Sequence, residues 1–187
     1  MKVLVAVASE TGRTLRLAEE VAAGARDAGA EVALRMAEDV EDRHLLDADA
    51  IVLGSGVHMG GMEASMKRLL ERTSPLWLQG RLIGKLGAAF ASAGLGGRGG
   101  AELTLIGLLS ALAEHGILLV PMHNRIEGFA KGGCHWGPVA WTNPRRGEAG
   151  PSQDHLRAAR AHGRHVAECA RRWLRGARGA DAAEARR

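Results

Sequence analysis

The chain's 187 residues, 46% hydrophobic and 25% charged, are enough for one well-filled domain and short for two. No apolar run approaches the roughly 18 residues of a membrane span, and the two cysteines, Cys134 and Cys169, lack metal-site spacing, which points to a reduced compartment and to no metal centre. The net charge of +4 invites a nucleic-acid reading, but Arg and Ala are enriched throughout the chain rather than in one basic patch, so the charge marks no such partner.

The N-terminus shows neither a signal-peptide nor a transit-peptide pattern, which predicts a cytoplasmic chain. It opens on the apolar run Val3-Leu4-Val5-Ala6-Val7, which stops at Ser9-Glu10-Thr11-Gly12-Arg13-Thr14. Leu15, Ala18, Val21, Ala22 and Ala25 then recur at helical spacing. The pattern is a buried strand, a tight turn and a helix. The first amides of that helix have no intrahelical acceptor and carry the positive end of its dipole, so an anion gains there. With the hydroxyls of Ser9, Thr11 and Thr14 converging, the turn either cradles a phosphate or is an ordinary connection in which Ser9 or Thr11 caps the helix.

After a helix stop at Gly29, Val32, Leu34 and Met36 alternate with Glu31, Ala33 and Arg35 as a second strand. Ala50-Ile51-Val52-Leu53 is a third, ending in the glycine-rich loop Gly54 to Met62 before a helix from about Glu63 to Thr73. Leu86 to Ala91 is a fourth, running into Ser92 to Gly100 and a helix from about Ala101 to His115. Ile117-Leu118-Leu119-Val120 is the fifth. A long irregular segment, Pro121 to Pro151, precedes a last helix capped by Ser152, and the region Gly176 to Arg187 reads as a frayed tail beyond a domain of residues 1–175. Five apolar strands alternating with helices predict a doubly wound five-stranded parallel sheet with helices on both faces.

In such a sheet ligands sit beyond the carboxyl ends of the strands, where the strand order reverses. The loops after the first, third and fourth strands all lie at that edge, and their glycines let backbone approach a flat ring closely. Gly94-Leu95-Gly96-Gly97-Arg98-Gly99 also fits the G-x-G-x-x-G dinucleotide fingerprint, but no acidic residue ends the following strand, which closes in Pro121-Met122-His123. Of four tryptophans, Trp77, Trp136 and Trp141 fall outside the predicted elements and are candidates to face a flat ligand, whereas Trp173 reads as packing.

The Ser-x-Thr-Gly-x-Thr turn resembles the phosphate loop of flavodoxin-like proteins. The resemblance extends through Leu76-Trp77 with Gly80, Gly84-Lys85-Leu86, Phe90 to Gly97, Leu112-Ala113-Glu114-His115-Gly116 and Pro151-Ser152-Gln153-Asp154. Together these are similar to the WrbA family of FMN-dependent NAD(P)H:quinone oxidoreductases, over roughly Lys2 to Leu174. The resemblance implies a flavodoxin-like fold and FMN held at its phosphate by Ser9, Glu10, Thr11, Gly12, Arg13 and Thr14. It implies ring contacts at Gly56, Val57, His58 and Met59, at Ser92, Ala93, Gly94, Leu95, Gly96 and Gly97, and at Glu114, with Trp77 on the substrate side. It further implies NAD(P)H as co-substrate, a quinone or similar acceptor, and a homo-oligomer with active sites near subunit contacts. Hydride transfer to the flavin needs no protein acid or base, so no catalytic residue is assigned.

The chain departs from the family where Pro-Thr-Arg-Phe becomes Gly56-Val57-His58-Met59, where the aromatic of the phosphate turn becomes Thr11, and where a histidine near the flavin becomes Glu114. Two other function classes use the same residues: an FMN electron carrier without NAD(P)H activity, and a cofactor-free protein that uses its basic last helix to contact an acidic partner. The long 121–151 segment favours an enzyme over a carrier, and the intact hydroxyls at Ser9, Thr11 and Thr14 oppose loss of the cofactor. His162 and His165 share a helix face and read as a surface pair rather than metal ligands, and Cys134-His135 lacks the third group that a nucleophile pair requires.

Overall fold

Strict alternation in the first strand builds two cores at once. β1 (Lys2–Ala8) directs Leu4, Ala6 and Ala8 to one face of the sheet and Val3, Val5 and Val7 to the other. A strand buried on both faces belongs at the centre of a parallel sheet. In the computed structural model, which describes residues 1–94, 98–143 and 147–184, β1 lies between β2 (Glu31–Met36) and β3 (Ala50–His58). Val5 is in register with Leu34 on one side and Val52 on the other. β5 (Leu86–Ala93) follows β3, with Val52 opposite Ala88. Helices α1 (Arg13–Asp27) and α7 (Gln153–Glu184) cover the valine face, and α3 (Ala64–Arg72) and α5 (Arg98–Glu114) cover the other.

Parallel doubly wound architecture is therefore as expected, but the strand count is not. Among the described residues the sheet has eight strands, in the order β2-β1-β3-β5-β8-β7, with β4 (Gly61–Met62) paired to β3 and β6 (Leu118–Leu119) to β5. The expected fifth strand is split. β6 pairs with Leu86 and Gly87 at the start of β5; the chain then departs through α6 (Phe129–Gly132) and β7 (Gly133–Cys134), and β8 (Gly137–Trp141) returns to pair with Ala91, Ser92 and Ala93. Gly137 and Pro138 look like strand breakers in sequence, yet both are accommodated here. A Cβ on Gly137 would lie 2.0 Å from the Ala89 carbonyl oxygen, so only glycine permits this approach, and Pro138 falls opposite Gly133 in the short antiparallel pair.

β3 also outruns its expected end at Leu53. Gly54 keeps it regular because a Cβ there would come within 1.9 Å of the Phe90 ring, so this glycine makes room for the core rather than for a ligand. The strand then turns back on itself, pairing Val57 with Met62 and His58 with Gly61 around Met59 and Gly60, whose φ values of 48° and 84° are those a two-residue hairpin demands.

The last helix runs from Gln153 to Glu184, consistent with the high helix propensity of an Ala- and Arg-rich sequence, and 185–187 lie outside the described residues. It corrects one expectation. His162 is not on the surface: it is fully buried, because α7 is covered by α1 on one side and by the segment that carries Met122 and Ile126 on another. Two glycines let α1 and α7 touch, since a Cβ at Gly24 would meet the Arg160 carbonyl at 1.8 Å and one at Gly163 the Val21 carbonyl at 2.0 Å. Two of the tryptophans expected outside regular elements lie within them: Trp77 is in α4 (Ser74–Leu78) and Trp141 closes β8. Trp173 is half-exposed and donates its indole N–H to the Gly84 carbonyl at 2.9 Å, tying α7 to the turn before β5.

Candidate functional site

At the carboxyl edge of the sheet the strand order reverses at β1, where the chain goes first to β2 and then across to β3. The turns after β1, β3 and β5 meet there around a cavity of about 190 Å³. Glu10, Thr11, Arg13 and Thr14 line it from the first turn, Gly56, Val57 and His58 from β3, and Ser92, Ala93 and Gly94 from the end of β5. Two further residues, Glu63 and Thr142, complete the described wall.

The first turn is shaped by Gly12, whose φ of 78° places it in the left-handed region directly before α1. The helix's hydrogen-bond ladder opens with the Arg16 amide donating to the Gly12 carbonyl at 3.1 Å. Ser9 Oγ accepts the Leu15 amide at 3.1 Å, which leaves its own O–H free to turn toward the cavity side or elsewhere as a donor. The amides of Arg13 and Thr14 precede the ladder, have no intrahelical acceptor and face the positive end of the dipole. Thr14 Oγ1 and Ser92 Oγ lie 2.7 Å apart, both hydroxyls buried, which joins the first loop to the third. Arg13 spans the opening by donating from Nε to the Ala149 carbonyl at 3.4 Å.

Charge on the far wall has the opposite sign. Glu63, immediately before α3, is only 15% exposed at its side chain. Its Oε2 accepts the Glu10 amide at 3.2 Å and lies 3.5 Å from His58 Nε2, while Oε1 accepts the Ser65 hydroxyl at 3.0 Å. The Glu10 carboxylate approaches the same imidazole at 3.8 Å. Ser55 holds this corner by accepting the Glu63 amide and donating to the Gly56 carbonyl, each at 2.8 Å.

The remaining expected site residues are not all gathered here. Met59 is fully exposed at the hairpin tip. Leu95, Gly96 and Gly97 lie outside the described residues. Trp77 and Glu114 face a second, larger cavity of about 520 Å³ between α3 and α5, which shares no lining residue with the first. His115 lines that second cavity as well; its Nε2 meets Thr73 Oγ1 at 2.8 Å, and since that hydroxyl donates to the Leu70 carbonyl, the imidazole nitrogen is the donor. Burial holds the His115 pKa below the ordinary imidazole value.

Glu63 and Thr142 escaped the sequence reading. Glu63 looked like the first residue of a helix, and nothing local shows that its side chain turns back to the β1 turn 53 positions away. Thr142 is placed by β8, whose amide-to-Ala93 carbonyl bond of 2.9 Å continues the ladder into the site. Three hydroxyls, exposed helix-terminal amides and a guanidinium suit a phosphate monoester, which needs many donors. Among the described residues, nothing lies within 4 Å of where a Cβ on Gly94 would stand. The cavity is smaller than the roughly 300–1,000 Å³ usual for a whole drug-sized ligand. Its size suits a phosphate group rather than a whole nucleotide. Among the described residues no group of three or more His, Cys, Asp or Glu is placed to hold a metal ion, and no helix is long and apolar enough to cross a membrane.

Comparison with known proteins agrees with this architecture. A family model described as a flavodoxin domain matches residues 4–92. A protein of Geotalea uraniireducens named NAD(P)H dehydrogenase (quinone) is 35% identical over 94% of this chain and 100% of its own length. One of the same name from Archaeoglobus fulgidus is 33% identical over 90% and 97%. Among solved structures, a flavodoxin, WrbA-like protein from Agrobacterium tumefaciens superposes with a TM-score of 0.72 at 25% identity, covering 91% of this chain and 98% of that one. Flavodoxin 2 of Bacillus cereus shares the fold, with a TM-score of 0.68 at 22% identity over 90% and 99%.

Proposed function

This chain belongs to the NAD(P)H dehydrogenase (quinone) family of flavodoxin-like proteins, and from that premise we propose that it is an FMN-dependent oxidoreductase passing two electrons from NAD(P)H to a quinone or similar acceptor. The observation that carries the proposal is the pairing of Thr14 Oγ1 with Ser92 Oγ at 2.7 Å beside the open amides of Arg13 and Thr14. Those groups, with Thr11 and the Arg13 guanidinium, would hold the phosphate. Gly56, Val57, His58, Ser92, Ala93 and Gly94 would meet the ring. FMN bound there would supply the hydride-accepting and electron-donating chemistry. The protein's part is to position it and to tune its surroundings, so no side chain is assigned as general acid or base.

In this reading Trp77 and Glu114 reach the site from a second copy of the chain; within one chain they line a separate cavity. Trp77 at 45% exposure and Leu78 at 75%, together with Leu103 and Ile106 on the outer side of α5, offer that copy an apolar surface. In this reading the protein is a homo-oligomer, with the acceptor side of each flavin built by its neighbour. Trp77→Ala is then expected to raise the Michaelis constant for quinone by roughly two- to tenfold, the equivalent of about 0.5–1.5 kcal/mol of ring contact. Flavin affinity and melting temperature should change little, since the half-exposed indole contributes little to the fold. A mutant that melts many degrees lower while keeping a normal Michaelis constant would assign Trp77 to packing. Quinone-dependent oxidation of NAD(P)H by the FMN-loaded protein tests the activity itself.

A further inference from the structure

The phosphate-binding turn carries a resident anion. Glu63 reaches from the start of α3 to accept the Glu10 amide at 3.2 Å, one of the backbone donors of the turn expected to hold the phosphate. Its position is built rather than incidental: Ser55 pins its amide, Ser65 donates to its other oxygen, and the side chain is largely buried. A carboxylate held at the rim of a phosphate cradle repels a dianion entering it, and a partly buried charge is screened less than one in open solvent.

We propose, resting on the reading of the turn as an FMN phosphate site, that Glu63 is a specificity-determining residue. It weakens the grip of the turn on the phosphate and so keeps the cofactor exchangeable. The carboxylate has two separable actions. As an acceptor it fixes the Glu10 amide and the path of the turn; as a charge it opposes the phosphate and has no counterpart effect on an uncharged ligand. His58, facing both Glu63 and Glu10, is the group that stands between the two carboxylates.

The two actions are separated by Glu63→Gln, whose amide oxygen still accepts from the Glu10 N–H while the charge is gone. Dissociation constants for FMN and for riboflavin, measured by flavin fluorescence on apoprotein at low and high salt, give the test. The expected result is FMN binding roughly three- to tenfold tighter in Glu63→Gln, riboflavin unchanged, and a gap between the two proteins that shrinks as salt is raised. Glu63→Ser, which keeps a short polar residue before α3 but cannot reach the turn, is expected to tighten FMN as well, and melting curves establish that both variants are folded. FMN bound no more tightly in either folded variant, or both flavins shifting together, overturns the proposal while leaving the phosphate site in place. A wild-type protein that does not prefer FMN to riboflavin overturns the phosphate reading and this inference with it.

Discussion

Riboflavin is expected to bind this protein orders of magnitude more weakly than FMN. The two flavins differ only in the phosphate, and the turn after β1 offers that group helix-terminal amides, the Thr11 and Thr14 hydroxyls and the Arg13 guanidinium, with Ser92 added from the end of β5. Hydrogen bonds to a charged acceptor contribute about 1.5–3 kcal/mol each, so losing even two of them costs a factor of at least about a hundred. Thr14→Val keeps the shape of the side chain and removes one donor, and should weaken FMN by roughly ten- to a hundredfold without affecting riboflavin. It also strands the buried Ser92 hydroxyl, which Thr14 now partners, so a modest fall in melting temperature should accompany it. Equal affinity for the two flavins in a titration would remove the basis for placing the phosphate here.

Acid is expected to destabilise the fold through His162. This imidazole is fully buried on α7, and neither ring nitrogen meets a hydrogen-bond partner among the described residues. Burial above all, then the neighbouring His165 and His123, push its pKa from 6.5 down to about 3. Because the folded value lies below the unfolded one, the unfolded chain binds the proton first as pH falls. The stability contribution is complete above about pH 6.5 and is lost progressively between there and about pH 3, at up to ~1.4 kcal/mol per pH unit. Burial shifts His155 and His165 in the same direction, so the comparison must isolate one residue. His162→Leu fills a similar volume without polar atoms, and is expected to stabilise the protein by about 1–3 kcal/mol at neutral pH and to flatten the acid limb of its stability curve. A variant whose acid limb matches that of the wild type would assign the pH dependence elsewhere.

The same histidine shows where sequence reading reached its end. The periodicity of the last helix placed His162 and His165 on one face, but only tertiary structure decides that this face is covered by residues that follow β6. β1 and α1 were legible because their signals are local: an apolar run buried on both sides, a turn with a required glycine, and a helix whose first amides are orphaned by geometry. The split fifth strand was not legible, since Gly137 and Pro138 break a strand by every local rule and are tolerated only because Gly137 lies against β5. Gly54 carried a local signal with the wrong cause, a glycine in a ligand-edge loop that in fact yields space to Phe90. Glu63 gave no signal at all, its partner being 53 positions distant. Trp77 and Glu114 were chosen by motif position alone, and the fold places them at a second cavity.

Anaerobic mixing of the FMN-loaded protein, first with NADH or NADPH and then with a quinone, tests the central claim most directly. The account predicts that the visible flavin absorbance is bleached by at least one of the two nucleotides at a rate that saturates with nucleotide concentration, and that the quinone restores it with one equivalent consumed per flavin. Flavin that stays oxidised with both nucleotides, yet is reduced by dithionite and reoxidised by the quinone, would contradict the enzyme and leave an electron carrier.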